Sequence, residues 1–244
     1  MASKLPRVLV ITPTYDEREN LGPFAERLFA AQPGAHLLVV DDASPDGTGQ
    51  LADALARADP RVRVLHRAAK MGLGTAYVEG FREALERGYD VAVEMDTDLS
   101  HDAAELAPML AEIARGADVV VGSRGVRGGR IEGWGPFRHA MSKGGSFYAR
   151  AVLGVSEVND MTTGFKAYTR RALAAIDVET LRSNGYAFQI ETTYRALRRG
   201  LRVVEVPIVF VDRRVGRSKL SRRVFAEAVF EVLRLRADAA RGRI

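Results

Sequence analysis

The sequence predicts an α/β fold in which a mostly parallel sheet is covered by helices on both faces. Short apolar runs rich in β-branched residues recur about 25 to 30 residues apart, and segments with helical periodicity lie between them. Strands that alternate with helices need crossover connections, which are typical of parallel sheets. With 244 residues, the chain fits one compact domain, or one domain with a small appendage.

The elements of the first half follow in order. The predicted strands are the apolar runs at residues 8–11, 37–40, 62–65, 91–95 and 119–121. Between the first two strands, apolar residues from Leu21 to Phe29 recur at helical spacing, and a second such stripe runs from Leu106 to Ile113. A further helix is predicted from Thr48, because a Ser-Pro-Asp-Gly turn precedes it.

After residue 125 the regular alternation stops at a glycine-rich loop, residues 125–135, which contains the only tryptophan, Trp134. A helix is predicted at residues 138–153, and a short strand at 203–210 that Pro207 restricts to an edge or a bulge. The last predicted helix, residues 221–240, has an apolar face flanked by arginines. It is expected to pack on the domain, to dock at a membrane interface, or both.

Composition excludes several classes of protein. Without cysteine, the chain has no disulfide framework, no thiolate metal site and no cysteine nucleophile, which favours a cytosolic location. Residues 1–7 lack the apolar core of a secretory leader, and no run approaches the roughly 20 apolar residues that cross a bilayer. The four histidines show no metal-ligand spacing, and no Gly-x-Ser-x-Gly motif supports a serine hydrolase.

The net charge of +5 is unevenly distributed, since residues 195–244 hold 14 basic and 5 acidic side chains. Such a segment serves a nucleic acid, an anionic membrane or a phosphorylated substrate, or is simply a solvated tail. Interleaved aromatic residues are lacking, and the acidic strand ends described next would repel a phosphate backbone. We therefore expect no nucleic-acid partner.

Chemistry-bearing residues follow four of the predicted strands, at the edge where parallel sheets place their functional sites. After the fourth strand, Asp96 and Asp98 point the same way in an extended chain, so both can reach a hard divalent cation. The alternative is that Asp98 or Ser100 caps the helix that follows. After the second strand, Asp41 and Asp42 either bind a base or ribose or belong to a turn.

Two further segments suit anionic or nucleotide ligands. The glycines at residues 70–76 permit close backbone approach, which favours a loop that shapes a ligand pocket, although the spacing is not that of a P-loop. The basic run at residues 213–219 is dense enough to hold a phosphate, or else is a solvated loop.

Taken together, the segments at residues 13–17, 41–48, 70–75 and 95–101 resemble the family 2 glycosyltransferases of GT-A (Rossmann-like) fold. More narrowly, the chain is similar to dolichol-phosphate (polyprenol-phosphate) mannose synthases, through segments at residues 122–129, 134–144, 163–166 and 205–220. The resemblance covers residues 7–222. Two positions depart from it: Asp16 replaces the usual Asn, and Lys166 a common Arg. We therefore expect a GT-A domain over residues 1–222 and an amphipathic basic helix over 223–244.

The resemblance implies an inverting, metal-dependent enzyme that transfers mannose from GDP-mannose to a polyprenyl phosphate lipid, with Mg2+ or Mn2+ as cofactor. UDP-glucose and UDP-N-acetylglucosamine remain alternative donors, and a nucleotide- or nucleic-acid-binding protein without catalysis is the alternative class. The implied location is cytoplasmic, peripheral on the cytosolic face of a membrane, and a separate membrane-protein partner is left open.

By position, the resemblance also implies the site residues. The nucleotide would be bound by Pro13, Tyr15, Glu17, Val40, Asp41, Asp42, Asp96, Thr97 and Arg124. The metal ligands would be Asp96, Asp98 and Ser100. The acceptor phosphate would be held by Arg124, Arg138, Ser142, Arg213 and Lys219. The catalytic residues would be Asp98, Arg124, Arg213 and Lys219.

Overall fold

The computed structural model describes residues 6–212 and 222–244, with side chains in the second range from residue 229 onward. Its strands are β1 (Val8–Thr14), β2 (His36–Asp41), β3 (Val62–His66), β4 (Val91–Glu94), β5 (Val119–Ser123), β6 (Arg130–Glu132), β7 (Lys166–Thr169), β8 (Val203–Pro207) and β9 (Val209–Val211). Its α-helices are α1 (Arg18–Ala31), α2 (Thr48–Ala58), α3 (Leu73–Glu86), α4 (Leu106–Ala114), α5 (Pro136–Leu153), α6 (Arg170–Ile176), α7 (Gly185–Arg198) and α8 (Arg222–Ala240).

The main sheet has seven strands in the order β3-β2-β1-β4-β7-β5-β8. Neighbouring strands are parallel except at β7, which is antiparallel to both β4 and β5. This confirms the mostly parallel α/β fold. The strand β7 was not predicted from the sequence, and the single strand predicted at residues 203–210 is in fact two strands. The first of these, β8, ends at Pro207 on the edge of the main sheet, and β9 pairs with β6 in a separate two-stranded sheet.

The two faces of the sheet form two apolar layers. Along β1, Leu9 and Ile11 pack on one side with α3, α6 and α7, whereas Val8 and Val10 pack on the other with α1, α2 and α4. This alternation follows from the two-residue period of a strand. The main sheet is therefore covered on both sides, which leaves the carboxyl ends of its parallel strands as the open edge.

The last helix packs on the domain and also exposes apolar side chains. Val232, Leu235 and Ala239 of α8 are buried, whereas Phe230 is 73% and Leu233 49% exposed. The predicted apolar face is thus divided, with Leu233 on the outer side. Within the described ranges, no helix combines the length and the hydropathy that crossing a bilayer requires.

The strand order fixes where a ligand site can lie. From β1 the chain runs outward through β2 to β3, and it then returns to place β4 on the opposite side of β1. The helices that follow β1 and β4, α1 and α4, cover the same face of the sheet, whereas α3, which leads into β4, covers the other. The strand order therefore reverses beside β1, and a crevice lies at the carboxyl ends of β1 and β4. Ligands of open α/β sheets bind at such a point.

Candidate active site

A cavity of about 430 Å3 opens at this crevice. It brings together seven of the residues predicted to bind nucleotide or metal: Pro13, Tyr15, Glu17, Asp42, Asp96, Thr97 and Asp98. They come from the ends of three neighbouring strands, β1, β2 and β4. The convergence arises because parallel strands present their carboxyl ends at one edge.

Asp96 and Asp98 are oriented by different local contacts. The hydroxyl of Tyr77 donates to Asp96 Oδ1 at 3.1 Å. Burial, followed by the charges of Asp96 and Glu94, raises the pKa of Tyr77, so this hydroxyl stays protonated. The backbone amide of Ser100 donates to Asp98 Oδ1 at 3.1 Å. The turn depends on Leu99, whose φ of +61° is unusual for a side-chain-bearing residue.

The arrangement of oxygens fits a divalent cation that takes some of its ligands from the protein and the rest from the substrate and water. Both carboxylates line one cavity, and the Ser100 hydroxyl is buried without a hydrogen-bond partner among the described residues. These residues contain no group of three or more acids, histidines or cysteines that could enclose a metal. Mg2+ and Mn2+ suit such a partial set of hard oxygen ligands, since substrate phosphates and water complete their shell.

The helix cap that the sequence offered as an alternative role for Asp98 or Ser100 is provided by a different residue. Asp102 Oδ1 accepts from the backbone amide of Ala104 at 2.9 Å and caps the short turn that precedes α4. Neither Asp98 nor Ser100 is therefore needed as that cap.

The loop after β3 closes one side of the cavity. Asp42 accepts from Arg67 at 2.5 Å and from the backbone amides of Met71 and Gly72 at 3.3 Å. Lys70 Nζ lies 3.7 Å from the centroid of the Tyr15 ring. Lys70, Gly72 and Leu73 all line the cavity, so this segment shapes the pocket as predicted.

The two other nucleotide-binding residues predicted near this point, Val40 and Asp41, form the end of β2 and lie behind the cavity wall. Asp41 accepts from Thr14 Oγ1 at 2.9 Å and from Ser44 Oγ at 2.6 Å, and Val40 is buried in the core. The local hydrogen bonds of Asp41 are those of a turn. The role of Val40 and Asp41 in nucleotide binding stays a prediction.

Arg124 is held in a buried ion pair that the sequence analysis did not predict. Its guanidinium donates to both oxygens of Asp160, at 2.7 and 2.8 Å, and to Thr162 Oγ1 at 3.0 Å. Burial alone would raise the pKa of Asp160, but the charge and hydrogen bonds of Arg124 outweigh burial and lower it. The pair fixes a cation directly behind Thr162, which lines the cavity.

Arg138 and Ser142 line a second, smaller cleft of about 70 Å3. Arg138 donates to Asp212 Oδ1 at 2.7 Å and stacks at 4.2 Å on the ring of Trp134. Thr162 and Tyr186 line both this cleft and the acidic cavity, so the two spaces adjoin. The remaining predicted site residues, Arg213 and Lys219, lie outside the described residues.

Several residues of the cavity wall carried no role in the sequence analysis. These are Thr162 and Gly164 in the loop before β7, and Asn184, Gly185, Tyr186 and Gln189 around the start of α7. The sequence signal that could have indicated these residues is a glycine beside polar or aromatic residues, at Gly164 and at Gly185. Gly74 shows why the α3 and α7 ends approach so closely: a Cβ there would lie 2.3 Å from the carbonyl oxygen of Ser183.

Comparisons with known proteins identify the family of the chain. The family model described as glycosyl transferase family 2 matches residues 9–177. The chain is 51% identical to a polyprenol monophosphomannose synthase from Mycolicibacterium smegmatis, over 97% of this chain and 91% of that protein. It is 52% identical to an undecaprenyl-phosphate mannosyltransferase from Micrococcus luteus, over 93% of each.

A solved structure shares the fold at low sequence identity. It is a mannosyltransferase from Pyrobaculum calidifontis in complex with GDP-mannose and Mn2+, 17% identical, with a TM-score of 0.57 over 98% of this chain and 75% of that one. The fold is therefore GT-A, as the resemblance implied. With a matching family model over more than half its length and relatives above 50% identity, the chain belongs to glycosyltransferase family 2.

Proposed function

We propose that the protein transfers mannose from GDP-mannose to a polyprenyl monophosphate, with inversion at the sugar carbon. One observation carries the proposal: an acidic cavity, suited to a metal-bound nucleotide sugar, adjoins an apolar cleft that contains Arg138 and Ser142. Relatives that span nearly this whole chain are named for mannosyl transfer to polyprenyl lipids.

On the donor side, we assign Pro13, Tyr15, Glu17 and Asp42 to the nucleoside and Asp96 and Asp98 to Mg2+ or Mn2+. When bound, the cation stabilises the negative charge that grows on the departing diphosphate. The chain's own contribution is orientation. Tyr77 holds one oxygen of Asp96, and the turn at Leu99 holds Asp98, so both carboxylates are positioned before substrate binds.

On the acceptor side, a phosphate monoester has a second pKa near 6, so at neutral pH it is largely a dianion and needs no strong general base. Its approach to an anionic donor is opposed by charge repulsion. We assign Arg138, Ser142 and Arg124 to lowering that repulsion, with Arg213 and Lys219 closing over the reacting phosphates. A single displacement by this phosphate inverts the sugar carbon and releases GDP.

The acceptor is a membrane lipid, so we also propose that the protein docks on the cytosolic face of a membrane. Phe137 and Phe147 on α5 are 78% and 71% exposed, and Phe230 on α8 is similarly exposed. Exposed aromatic residues on helices that also carry basic residues are typical of interfacial binding. The absence of cysteine fits a reducing compartment.

A donor panel tests the proposed function. The purified protein is incubated with Mn2+ or Mg2+, a polyprenyl phosphate and either GDP-mannose, UDP-glucose or UDP-N-acetylglucosamine, and radiolabelled sugar is followed into the lipid phase. We expect label from GDP-mannose alone, and loss of transfer when the metal is chelated. Transfer from a UDP sugar only would overturn the donor assignment, and transfer without any lipid acceptor would overturn the reaction.

A further inference from the structure

The lining of the acidic cavity has a charged part and a neutral part. The charged part comes from the chain after β1, β2, β3 and β4 and carries Glu17, Asp42, Lys70, Asp96 and Asp98. The other part comes from the loop before β7 and the start of α7, and its described residues include no acid, lysine or arginine. We call it the neutral wall; it consists of Thr162, Gly164, Asn184, Gly185, Tyr186 and Gln189.

The neutral wall lies between the acids assigned to the metal and the cleft assigned to the acceptor. A Cβ built on Gly164 would lie 3.4 Å from Asp96 Oδ2, so one end of the wall adjoins a carboxylate. At its other end, Thr162 and Tyr186 also line the cleft that contains Arg138. In the proposed reaction the sugar is bonded to the diphosphate and attacked by the acceptor phosphate. The neutral wall is therefore the part of the cavity that faces the sugar.

Gln189 has the one buried side chain of this wall whose polar atoms, among the described residues, all lack a hydrogen-bond partner. The residue is 2% exposed, and both Nε2 and Oε1 are unpaired. Nε2 lies 3.7 Å from the Cβ position of Gly164, the same point that Asp96 Oδ2 approaches. A buried polar group is costly unless a ligand or water pairs with it. An amide both donates and accepts, as does a sugar hydroxyl.

Contacts within the fold hold the backbone of Gln189 rather than the end of its side chain. Its carbonyl oxygen accepts from Lys166 Nζ at 2.6 Å and from Thr193 Oγ1 at 3.0 Å. Glu94 lies beneath, and the Gln189 amide opposes the rise that burial causes in the pKa of Glu94. In the described part of the chain, however, the end of neither side chain has a hydrogen-bond partner. The amide of Gln189 is thus positioned for a ligand.

We infer that Gln189 recognises a hydroxyl of the transferred sugar and helps determine which hexose is accepted, an inference that rests on the proposed function. The metal ligands and the arginines act on phosphate groups, which nucleotide sugars of every kind share. The identity of the hexose must be read by groups that pair with hydroxyls. A site built to hydrogen-bond a substrate hydroxyl discriminates strongly against an analogue that lacks it, because its own polar group is then left unpaired.

Three variants isolate this role. Q189M keeps an unbranched side chain of similar length but removes the donor and the acceptor. Q50M makes the same change at an exposed position of α2 and is the control. G164A adds a methyl group between Asp96 and Gln189, at ordinary contact distances of 3.4 and 3.7 Å from their nearest atoms. It is therefore expected to fold while it narrows the space for the sugar.

Calorimetry with Mn2+ and without acceptor measures binding of GDP, of GDP-mannose and of the GDP-deoxymannoses that each lack one sugar hydroxyl. Wild type and Q50M should bind at least one deoxy analogue about fivefold or more weakly than GDP-mannose. Q189M should bind that analogue and GDP-mannose within about twofold of each other, and its affinity for GDP should stay within about twofold of wild type. G164A should lose about fivefold or more in affinity for GDP-mannose and keep its affinity for GDP.

The inference would be overturned if Q189M discriminated among the deoxy analogues as wild type does, or if its affinity for GDP fell as much as that for GDP-mannose. The second result would indicate a structural role. Unchanged binding of GDP-mannose by G164A would also overturn it. Circular dichroism melts verify folding, and if Q189M does not fold, G164A decides. Failure of the proposed function looks different: wild type would transfer no mannose from GDP-mannose, although calorimetry would still separate Q189M from wild type.

Discussion

Arg138 on α5 donates a hydrogen bond of 2.7 Å to Asp212, the residue that follows β9. Both side chains are only partly buried, 23% and 31% exposed, so a competing anion from solvent or from a lipid can reach the guanidinium. The indole of Trp134 packs against the other side of the same group at 4.2 Å. Arg138 is thus fixed in the cleft wall by one acid and one ring, with donors remaining for a phosphate.

Replacing Arg138 by Ala should chiefly weaken use of the lipid. Loss of a charge-assisted hydrogen bond to phosphate predicts a rise of about tenfold or more in KM for polyprenyl phosphate, with KM for GDP-mannose little changed. Arg57→Ala, which removes the same charge at an exposed position of α2, is the control. An increase confined to the KM for GDP-mannose would contradict the assignment of Arg138 to the acceptor.

Asp98→Asn tests the metal site. The substitution preserves size but removes a negative charge, so we expect the rate of transfer to fall by at least about a hundredfold and Mn2+ binding in the presence of GDP to weaken. Asp102→Asn is the matched control, since Asn also caps helices and Asp102 serves only the turn before α4. Calorimetry measures binding and label transfer measures the rate. Near-normal values for both in Asp98→Asn would show that Asp98 is not a ligand.

Membrane docking predicts a loss of lipid binding when an exposed aromatic residue of α5 becomes charged. Burying one phenylalanine contributes about 1.5–3 kcal/mol, so Phe147→Glu should reduce association with phosphatidylglycerol-containing vesicles by roughly tenfold or more. Gln50→Glu places the same charge at an exposed position of α2 and should leave sedimentation with vesicles unchanged. Equal binding by wild type and Phe147→Glu would rule out α5 as the docking surface.

The part of the site that was predictable from sequence is the part that topology determines. Asp42, Asp96 and Asp98 follow apolar runs of strand length, and parallel strands carry their carboxyl ends to one edge whatever the details of packing. Asp160 was not predictable in this way. Its partner Arg124 is distant in sequence, and the two meet only because β7 is inserted between β4 and β5.

The strand β7 was itself missed for a physical reason. It begins with Lys166, a residue type that is almost never fully buried, so residues 166–169 do not read as a core strand. The lysine is tolerated because Glu94 lies opposite it on β4. Pairing of that kind depends on strand order, which periodicity alone does not give.

The ion pair of Arg124 and Asp160 predicts an acid-sensitive contribution to stability. The pKa of Asp160 lies below its ordinary value of 3.8, so the stabilisation is present above that pH and is lost as the pH falls toward the lowered pKa. Asp160→Asn leaves a buried arginine charge unpaired, which should cost about 3–5 kcal/mol in unfolding free energy at neutral pH. The decrease in unfolding free energy that the wild type shows below about pH 4 should be smaller in Asp160→Asn.

Urea unfolding at a series of pH values measures this effect. Glu179→Gln removes an acid from an ion pair with Arg82 in which both side chains are about half exposed, and it should change stability little. If Asp160→Asn were as stable as Glu179→Gln, the buried pair would not be a structural requirement.

Glu94 and Lys166 are both fully buried and face each other across β4 and β7. Burial raises the pKa of Glu94 to about 7, although the charge of Lys166 opposes the shift. Burial lowers the pKa of Lys166 to about 8, again opposed by its partner. Lys166 Nζ also donates to the carbonyl oxygen of Gln189 at 2.6 Å. The pair therefore lies beneath the wall of the acidic cavity, to which the buried Gln189 contributes.

Lys166→Met should destabilise the protein in a pH-dependent manner. The carboxyl of Glu94 loses its compensating charge, so its folded-state pKa rises further, and stability falls as the pH climbs toward that pKa. Urea unfolding should show a small deficit near pH 5, where the carboxyl is protonated, and about 3–5 kcal/mol near pH 8. Adding Glu94→Leu should recover most of the lost stability, because no buried charge then remains unpaired. An equal deficit at both pH values, or no recovery in the double variant, would place the effect in packing rather than in charge.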